Sequence, residues 1–283
     1  MARRILVTGA AGQLGGYVAA AFADDDVIPC GRANLDIADP LAVRDAVAAA
    51  RPDVVINCTA FNDVDGAEQR PREAFAVNAF AVRSLARAAE AAGATLVHYS
   101  TDFVFDGTAN EPYDERSEAK PQSTYAMSKL LGEWFALEAP GAFVLRVESL
   151  FGSRRGWTGR RGTMDGIVSG LEEGREVGAF TDRVVSPSYT PDIATATRHL
   201  IDTGAAPGLY HCVNTGAASW YEVAGELARR LHVTPRLRPT TMDQVTLAAA
   251  RPRYCALSNG KLADAGFEMP TWQDAMARWL AAR

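Results

Sequence analysis

The chain has 283 residues, 48 % of them hydrophobic and 22 % charged, with a formal net charge of -5. These proportions exclude a disordered or fibrous protein, and the acidic balance argues against nucleic acid as a partner, because phosphate-binding surfaces carry a basic excess. No stretch is apolar for the roughly 20 residues of a membrane span, and MARRILVTG runs from two arginines into a strand without an apolar leader, so a cytoplasmic enzyme is expected.

Up to about residue 146, short β-rich runs alternate with Ala-rich segments. RRILVTG, DVIPCG, DVVINCTA, TLVHYS and AFVLRV are near-continuous apolar strands of the kind that helices cover on both faces. Between them QLGGYVAAAFA, PLAVRDAVAAA, REAFAVNAFAVRSLARAAEAAG and YAMSKLLGEWFALEA repeat their apolar residues at three and four. Right-handed crossovers then predict an α/β fold, a Rossmann-like doubly wound parallel sheet. After residue 150 the rhythm breaks at GSRRGWTGRRG. A helix PDIATATRHLIDTG, a strand GLYHCV, a helix from Trp220 to Leu231 and a last helix from Trp272 follow. Residues 1–150 are expected to form a dinucleotide-binding domain, with part of 180–203 returning to it. Residues 151–283 are expected to be mainly a smaller, interleaved α/β substrate-binding part. Cys30, Cys58, Cys212 and Cys255 form no C-x-x-C pair and read as reduced core thiols.

Three motifs carry chemistry. In VTGAAGQLGG, Gly9, Gly12 and Gly15 lie between the first strand and the first helix. That spacing suits a tight turn, a pyrophosphate approaching backbone, and close helix packing, with the phosphates on the helix N-terminus. The second strand ends in Gly31-Arg32 where NAD-binding chains often have an acid. Arg32 either pairs with the 2′-phosphate of NADP or stands solvated at a strand end, and NADPH is preferred over NADH. Asp36 either contacts adenine or caps the turn before Pro40.

HYSTDFVFDG ends a buried strand, where Thr101 offers a hydroxyl to a carbonyl and Asp102 a carboxylate to a substrate hydroxyl. Further on, Tyr125 and Lys129 are four apart on a predicted helix and share one face. Lys129 is one of three lysines against 26 arginines, so a compact ammonium is selected there. A tyrosine of ordinary pKa about 10 works poorly as a proton donor near neutrality, and the ammonium is expected to lower it.

With these motifs in this order, the chain resembles an extended short-chain dehydrogenase/reductase. Within that superfamily it is similar to the dTDP-4-dehydrorhamnose reductases over almost its entire length. GAAGQLG, LDIADPLAV, RPDVVINCTAFNDVDGAE, HYSTDFVFDG, YAMSKLLGE, SPSYTPDIA and GLYHCVNTGAASWYEVA carry the likeness. The resemblance implies NADPH-dependent reduction of the 4-keto group of a nucleotide-linked deoxy sugar. Tyr125 would be the general acid, Lys129 would bind the nicotinamide ribose, and Thr101 would hold the reacting oxygen. Gly9, Gly12, Gln13, Leu14, Arg32, Asp36, Ile37, Ala60, Phe61, Tyr99 and Ser100 are expected at the cofactor, with Asp102 and Ser149 at the substrate. A homodimer is within expectation.

Departures fall on the sugar side. RVESLFG places Ser149 where those reductases carry a tryptophan, and Gly162, Thr163 and Met164 stand where an Asn-Phe pair is usual. Arg154, Arg155, Arg160 and Arg161 either clamp a diphosphate or form a solvated loop. Tyr17 replaces an acid that holds a metal in some relatives, and no metal is expected. His98 reads as a core or cofactor-shell residue, and Trp220 and Tyr221 as packing more than sugar contacts. Two other readings stay open. One is a non-catalytic regulatory subunit like the methionine adenosyltransferase β subunit. The other is a dehydratase or epimerase, disfavoured because Phe103 follows Asp102 and no second carboxylate is adjacent.

Overall fold

The computed structural model describes residues 2–152 and 162–283. The first half runs β1 (Arg4–Thr8), α1 (Gln13–Ala21), β2 (Asp26–Cys30), α2 (Pro40–Ala50), β3 (Val54–Asn57), α3 (Val64–Gln69), α4 (Pro71–Phe75), α5 (Ala81–Ala92), β4 (Thr95–Thr101), α6 (Thr124–Leu137) and β5 (Phe143–Val147). The second half runs β6 (Leu150–Phe151), α7 (Thr163–Glu172), β7 (Glu176–Phe180), β8 (Val184–Val185), β9 (Ser188–Tyr189), α8 (Thr190–Asp202), β10 (Gly208–His211), β11 (Ala218–Ser219), α9 (Trp220–Arg230), β12 (Arg236–Thr240), α10 (Gly260–Asp264) and α11 (Trp272–Ala281).

Six strands pair in the order β10-β5-β4-β3-β1-β2, all parallel. Alternate residues of each strand serve opposite faces, which is why the runs are apolar throughout. Ile5, Val7, Ile56 and Leu145 pack under α1 and α8 with Val18, Phe22, Ile193 and Leu200. Leu6, Val55, Leu96 and Val144 pack under α2 and α5 with Val43, Val47, Val82 and Leu85. The strand order reverses between β1 and β3, and a crevice opens at such a point beyond the carboxyl ends of the strands. There Thr8 pairs with both Cys30 and Asn57.

The later residues are interleaved with this sheet. Helix α8 packs on α1 and β10 adds the edge strand beside β5. A separate apolar cluster joins Phe151, Met164, Val168, Val185, Leu227 and Trp279. Trp220 is buried in that cluster and Tyr221 packs against it, so both serve packing. Among the described residues no helix is long and apolar enough to cross a membrane.

Helix α6 is seated by an irregularity that helical periodicity does not announce. Between α4 and α5 the chain widens into a π-helical turn, Ala76–Phe80, a form often found at functional sites. Asn78 in this turn accepts a hydrogen bond from the Phe61 N–H at 2.8 Å and donates to Ser128 Oγ on α6 at 3.0 Å. Gly132 lies against the same turn, and a Cβ there would sit 2.1 Å from the Asn78 carbonyl oxygen. Gly132→Ala should therefore lower folding stability by about 1–3 kcal/mol, the usual cost of overpacking. Gly225→Ala on α9, where a Cβ meets nothing within 4 Å, should be neutral or stabilising by about 0.5–1 kcal/mol. Urea midpoints check the pair, and equal midpoints would mean that α6 is not pinned at Gly132.

Candidate active site

Two cavities meet at the carboxyl edge of the sheet. The larger, about 590 Å³, is lined by Gly9, Gly12, Gln13, Leu14, Ala60, Tyr99, Ser100, Thr101, Asp102, Tyr125, Lys129 and Ser149, among others. The smaller, about 320 Å³, is lined by Arg32, Asp36, Ile37 and Phe61, and shares Gly9, Thr59, Ala60 and Asn62 with the first. Every site residue expected from the sequence lines one or the other. The four arginines at 154, 155, 160 and 161 lie outside the described residues.

The turn between β1 and α1 depends on its glycines. Gly9 has φ +66 and a Cβ there would be 2.9 Å from the Cys58 carbonyl carbon, while one on Gly15 would be 2.2 Å from the Gly9 oxygen. The turn can therefore close on β3 and bring the α1 N-terminus to the cavity. No side chain caps that helix, so its first N–H groups remain available for anion binding. At the other end of the cleft, Arg32 is exposed and has no ion-pair partner among the described residues. Asp36 accepts from the Ala38 N–H at 3.0 Å, so it holds the turn as well as lining the cavity. Asp39 caps α2.

Tyr125 and Lys129 occupy one face of α6, as their spacing requires, and both are buried. Lys129 Nζ donates to the Tyr99 carbonyl at 2.6 Å and lies 3.5 Å from His98 Nε2. Asn57 Oδ1 accepts from Thr8 Oγ1 and from the Thr59 N–H, which turns its amide nitrogen toward His98 Nδ1 at 3.1 Å. This network assigns Nδ1 as the acceptor and the proton to Nε2. His98 is thus a neutral core residue, held below its ordinary pKa by burial and by the Lys129 charge. Of the three ammonium donors of Lys129, the Tyr99 carbonyl takes one. Burial lowers Lys129 to about 8, against an opposing effect of Glu133.

Burial, and then the Asp102 charge, hold the Tyr125 hydroxyl above its ordinary pKa, and the influence that lowers it is a hydrogen bond with Thr101. Lys129 meanwhile points its ammonium at the Tyr99 carbonyl.

Sequence proximity also missed a second carboxylate. Glu148 follows β5, is 2 % exposed, and lines the same cavity. Its carboxylate, that of Asp102 and the Cys255 thiol lie within 4.8 Å of one another. Thr101 Oγ1 donates to Asp102 Oδ1 at 2.9 Å and the Ser186 N–H to Glu148 Oε2 at 2.8 Å. Burial pushes both carboxyls above the usual range, while the Arg183 charge opposes this in each. Ser149 follows with φ 45, a left-handed backbone that is uncommon outside glycine. It turns the chain sharply between Glu148 and β6.

Gln13 Nε2 and Ser100 Oγ are buried polar atoms of the cavity wall with no hydrogen-bond partner among the described residues. With the open α1 N-terminus, the unpaired Arg32 and the spare donors of Lys129, they fit an elongated, phosphate-bearing ligand such as the expected dinucleotide.

Residues 3–283 match the family model described as RmlD substrate binding domain. The dTDP-4-dehydrorhamnose reductase of Mycobacterium tuberculosis (strain ATCC 25618 / H37Rv) is 38 % identical across 99 % of this chain and 93 % of its own length. A probable dTDP-4,6-dihydroxy-2-methyloxan-3-one 4-ketoreductase of Streptomyces antibioticus is 37 % identical across 96 % and 93 %. Among solved structures, dTDP-4-dehydrorhamnose reductase of Bacillus anthracis in complex with NADP superposes with a TM-score of 0.94 at 32 % identity, covering all of both chains.

The buried ammonium generates a test. Between about pH 8 and the ordinary lysine value of 10.5, the unfolded chain holds a proton that the folded chain has released, so this group's contribution to stability rises with pH across that window. The wild type should gain about 2 kcal/mol relative to Lys129→Met between pH 7.5 and 10. Parallel urea unfolding of the two proteins measures it. A difference that does not change with pH would show that Lys129 titrates as if in water.

Proposed function

The chain belongs to the RmlD substrate binding domain family, and from that premise we propose that it is an NADPH-dependent reductase of nucleotide-linked sugars. It converts the 4-keto group of a dTDP-linked 4-keto-6-deoxy sugar, dTDP-4-dehydrorhamnose first, to the alcohol. The observation that supports this most directly is a single cavity joining the Gly9–Leu14 turn to Thr101, Tyr125 and Lys129.

In this reading the α1 N-terminus and the Gly12–Leu14 backbone hold the pyrophosphate, and Arg32 the 2′-phosphate. Asp36, Ile37, Ala60 and Phe61 surround the adenosine end; Tyr99, Ser100 and Lys129 surround the nicotinamide end. When bound, NADPH supplies the hydride. Tyr125 supplies the proton to the developing alkoxide, and its raised pKa keeps it loaded with that proton through the neutral range. Thr101, whose one hydroxyl proton lies on Asp102 Oδ1 in this structure, would turn it to the same oxygen once the sugar is bound. The Lys129 ammonium, held by the Tyr99 carbonyl, offers its remaining donors to the ribose hydroxyls. Asp102 and Ser149 meet the sugar.

A second substrate reading has its own support. Ser149 stands where the resemblance leads one to expect a tryptophan, and the Streptomyces antibioticus relative bears the name of a ketoreductase for a different sugar. The intact Thr101, Tyr125 and Lys129 favour catalysis over a purely regulatory role.

Loss of NADPH absorbance with enzymatically prepared dTDP-4-keto-6-deoxy sugars tests the proposal. Tyr125→Phe should lower kcat about a thousandfold, within the range a general acid contributes, with cofactor binding retained; undiminished turnover would remove Tyr125 from the mechanism. Arg32→Ala should raise the KM for NADPH about tenfold, equivalent to about 1.4 kcal/mol, and leave that for NADH unchanged. Equal effects on both cofactors would assign Arg32 to the solvated strand end.

A further inference from the structure

Reduction of a carbonyl needs one proton donor, and Tyr125 provides it. The cavity nevertheless contains a second acid–base group. Glu148 Oε1 and Asp102 Oδ2 are both buried and make no geometric hydrogen bond among the described residues, although the other oxygen of each carboxyl is hydrogen-bonded and the Cys255 thiol also acts on Asp102. Ser100 Oγ, in the same wall, likewise has no partner among the described residues. A buried polar atom without a partner costs about 1–3 kcal/mol, so these oxygens call for a ligand. The cation that such a cluster would otherwise attract is already present as Arg183, whose charge acts on both carboxyls and on Cys255. The Cys255 thiol is directed to the Pro252 carbonyl at 3.4 Å.

We propose that Asp102 and Glu148 together form an acid–base pair that removes and returns the proton on a carbon next to the keto group of the bound sugar. The inference rests on the keto-sugar reading of this cavity. Two carboxyls this close cannot both ionise readily, so the pair holds one proton between them. The charged member is a stronger base than an ordinary carboxylate because burial and its neighbour raise its proton affinity. Asp102 is the residue after Thr101 and accepts its hydroxyl proton, so a carbonyl oxygen held by Tyr125 beside Thr101 brings its α carbons toward the pair.

In the step, the C–H bond α to the carbonyl breaks and its proton passes to the carboxylate. The electron pair forms a C–C double bond to the carbonyl carbon, and the carbonyl oxygen takes the charge as an enolate held by the Tyr125 hydroxyl. The reverse step returns a proton that has meanwhile equilibrated with water. Nothing is oxidised or reduced.

The test uses the full chain with NADP⁺, so that no hydride is available, and a dTDP-4-keto-6-deoxy sugar in deuterated water. Mass spectrometry of the sugar should show one deuteron entering about a hundredfold or more faster than without protein, as general-base catalysis gives. Glu148→Gln, of the same size, should lose most of that rate while still binding NADPH by fluorescence titration. Wild-type exchange no faster than the protein-free control would overturn the proposal, and so would exchange in Glu148→Gln at the wild-type rate. NADPH oxidation measured in parallel separates the two readings. Exchange without oxidation sinks the reductase and supports the pair; oxidation without exchange sinks the pair alone.

Discussion

The geometry of the site depends on one buried cation. Lys129 is 2 % exposed, and an ammonium removed from water is tolerable only when hydrogen-bonded and compensated by charge. The Tyr99 carbonyl supplies the bond, and Glu133, one turn further along α6, supplies the charge. Glu133 is itself gripped through both oxygens by Arg146 of β5, at 2.8 and 2.7 Å. Buried ion pairs contribute little net stability, but breaking this one would strand a charge. Helix α6 therefore cannot rotate by a residue on the sheet without isolating an ion, and Tyr125, four residues before Lys129, is fixed by the same constraint. Arginine could not replace this lysine, because its wide planar fork would have to fit the narrow gap between the Tyr99 carbonyl and His98.

The two ends of the cleft are built by different means. The cofactor end is mostly backbone: a glycine turn, a free helix N-terminus, and strand ends in register at Thr8, Cys30 and Asn57. Such a surface can bind phosphate and ribose whatever side chains surround it. The sugar end is built from side chains on distant segments: Asp102 after β4, Glu148 and Ser149 after β5, and Arg183 just before β8. Substitution there alters the ligand without disturbing the sheet.

The same division governs what could be read from sequence. The strands, the glycine turn and the Tyr125–Lys129 face were legible because their signals are local: apolar runs, a fixed spacing, one helical turn. Thr101 and Asp102 were legible because a strand end announces them. Glu148 was not, because the search for a second carboxylate followed the chain from Asp102 to Phe103, whereas parallel pairing of β4 with β5 sets Thr101 opposite Val147. The next residue of each strand then faces the same space. Asn78 was hidden for a related reason, since helical periodicity runs through the π turn that places it. The i, i+4 spacing announced the shared face of Tyr125 and Lys129 but not the partner that the buried ammonium takes, which is the Tyr99 carbonyl.

The acid pair also bears on reduction itself. As hydride reaches the carbonyl carbon, negative charge grows on the oxygen beside Thr101, next to Asp102. Two ionised carboxylates there would oppose it. A single unit charge at ~4 Å with an effective dielectric of ~20 is worth about 4 kcal/mol, enough to slow the step about a thousandfold. One proton shared between Asp102 and Glu148, with Arg183 balancing the remaining charge, leaves the alkoxide to form in a locally neutral pocket. The same neutrality limits how far Asp102 can raise Tyr125, so the phenol stays protonated without becoming too weak an acid for an alkoxide. The arrangement that gives the pocket a base for an α proton is thus also the one that lets its acid work.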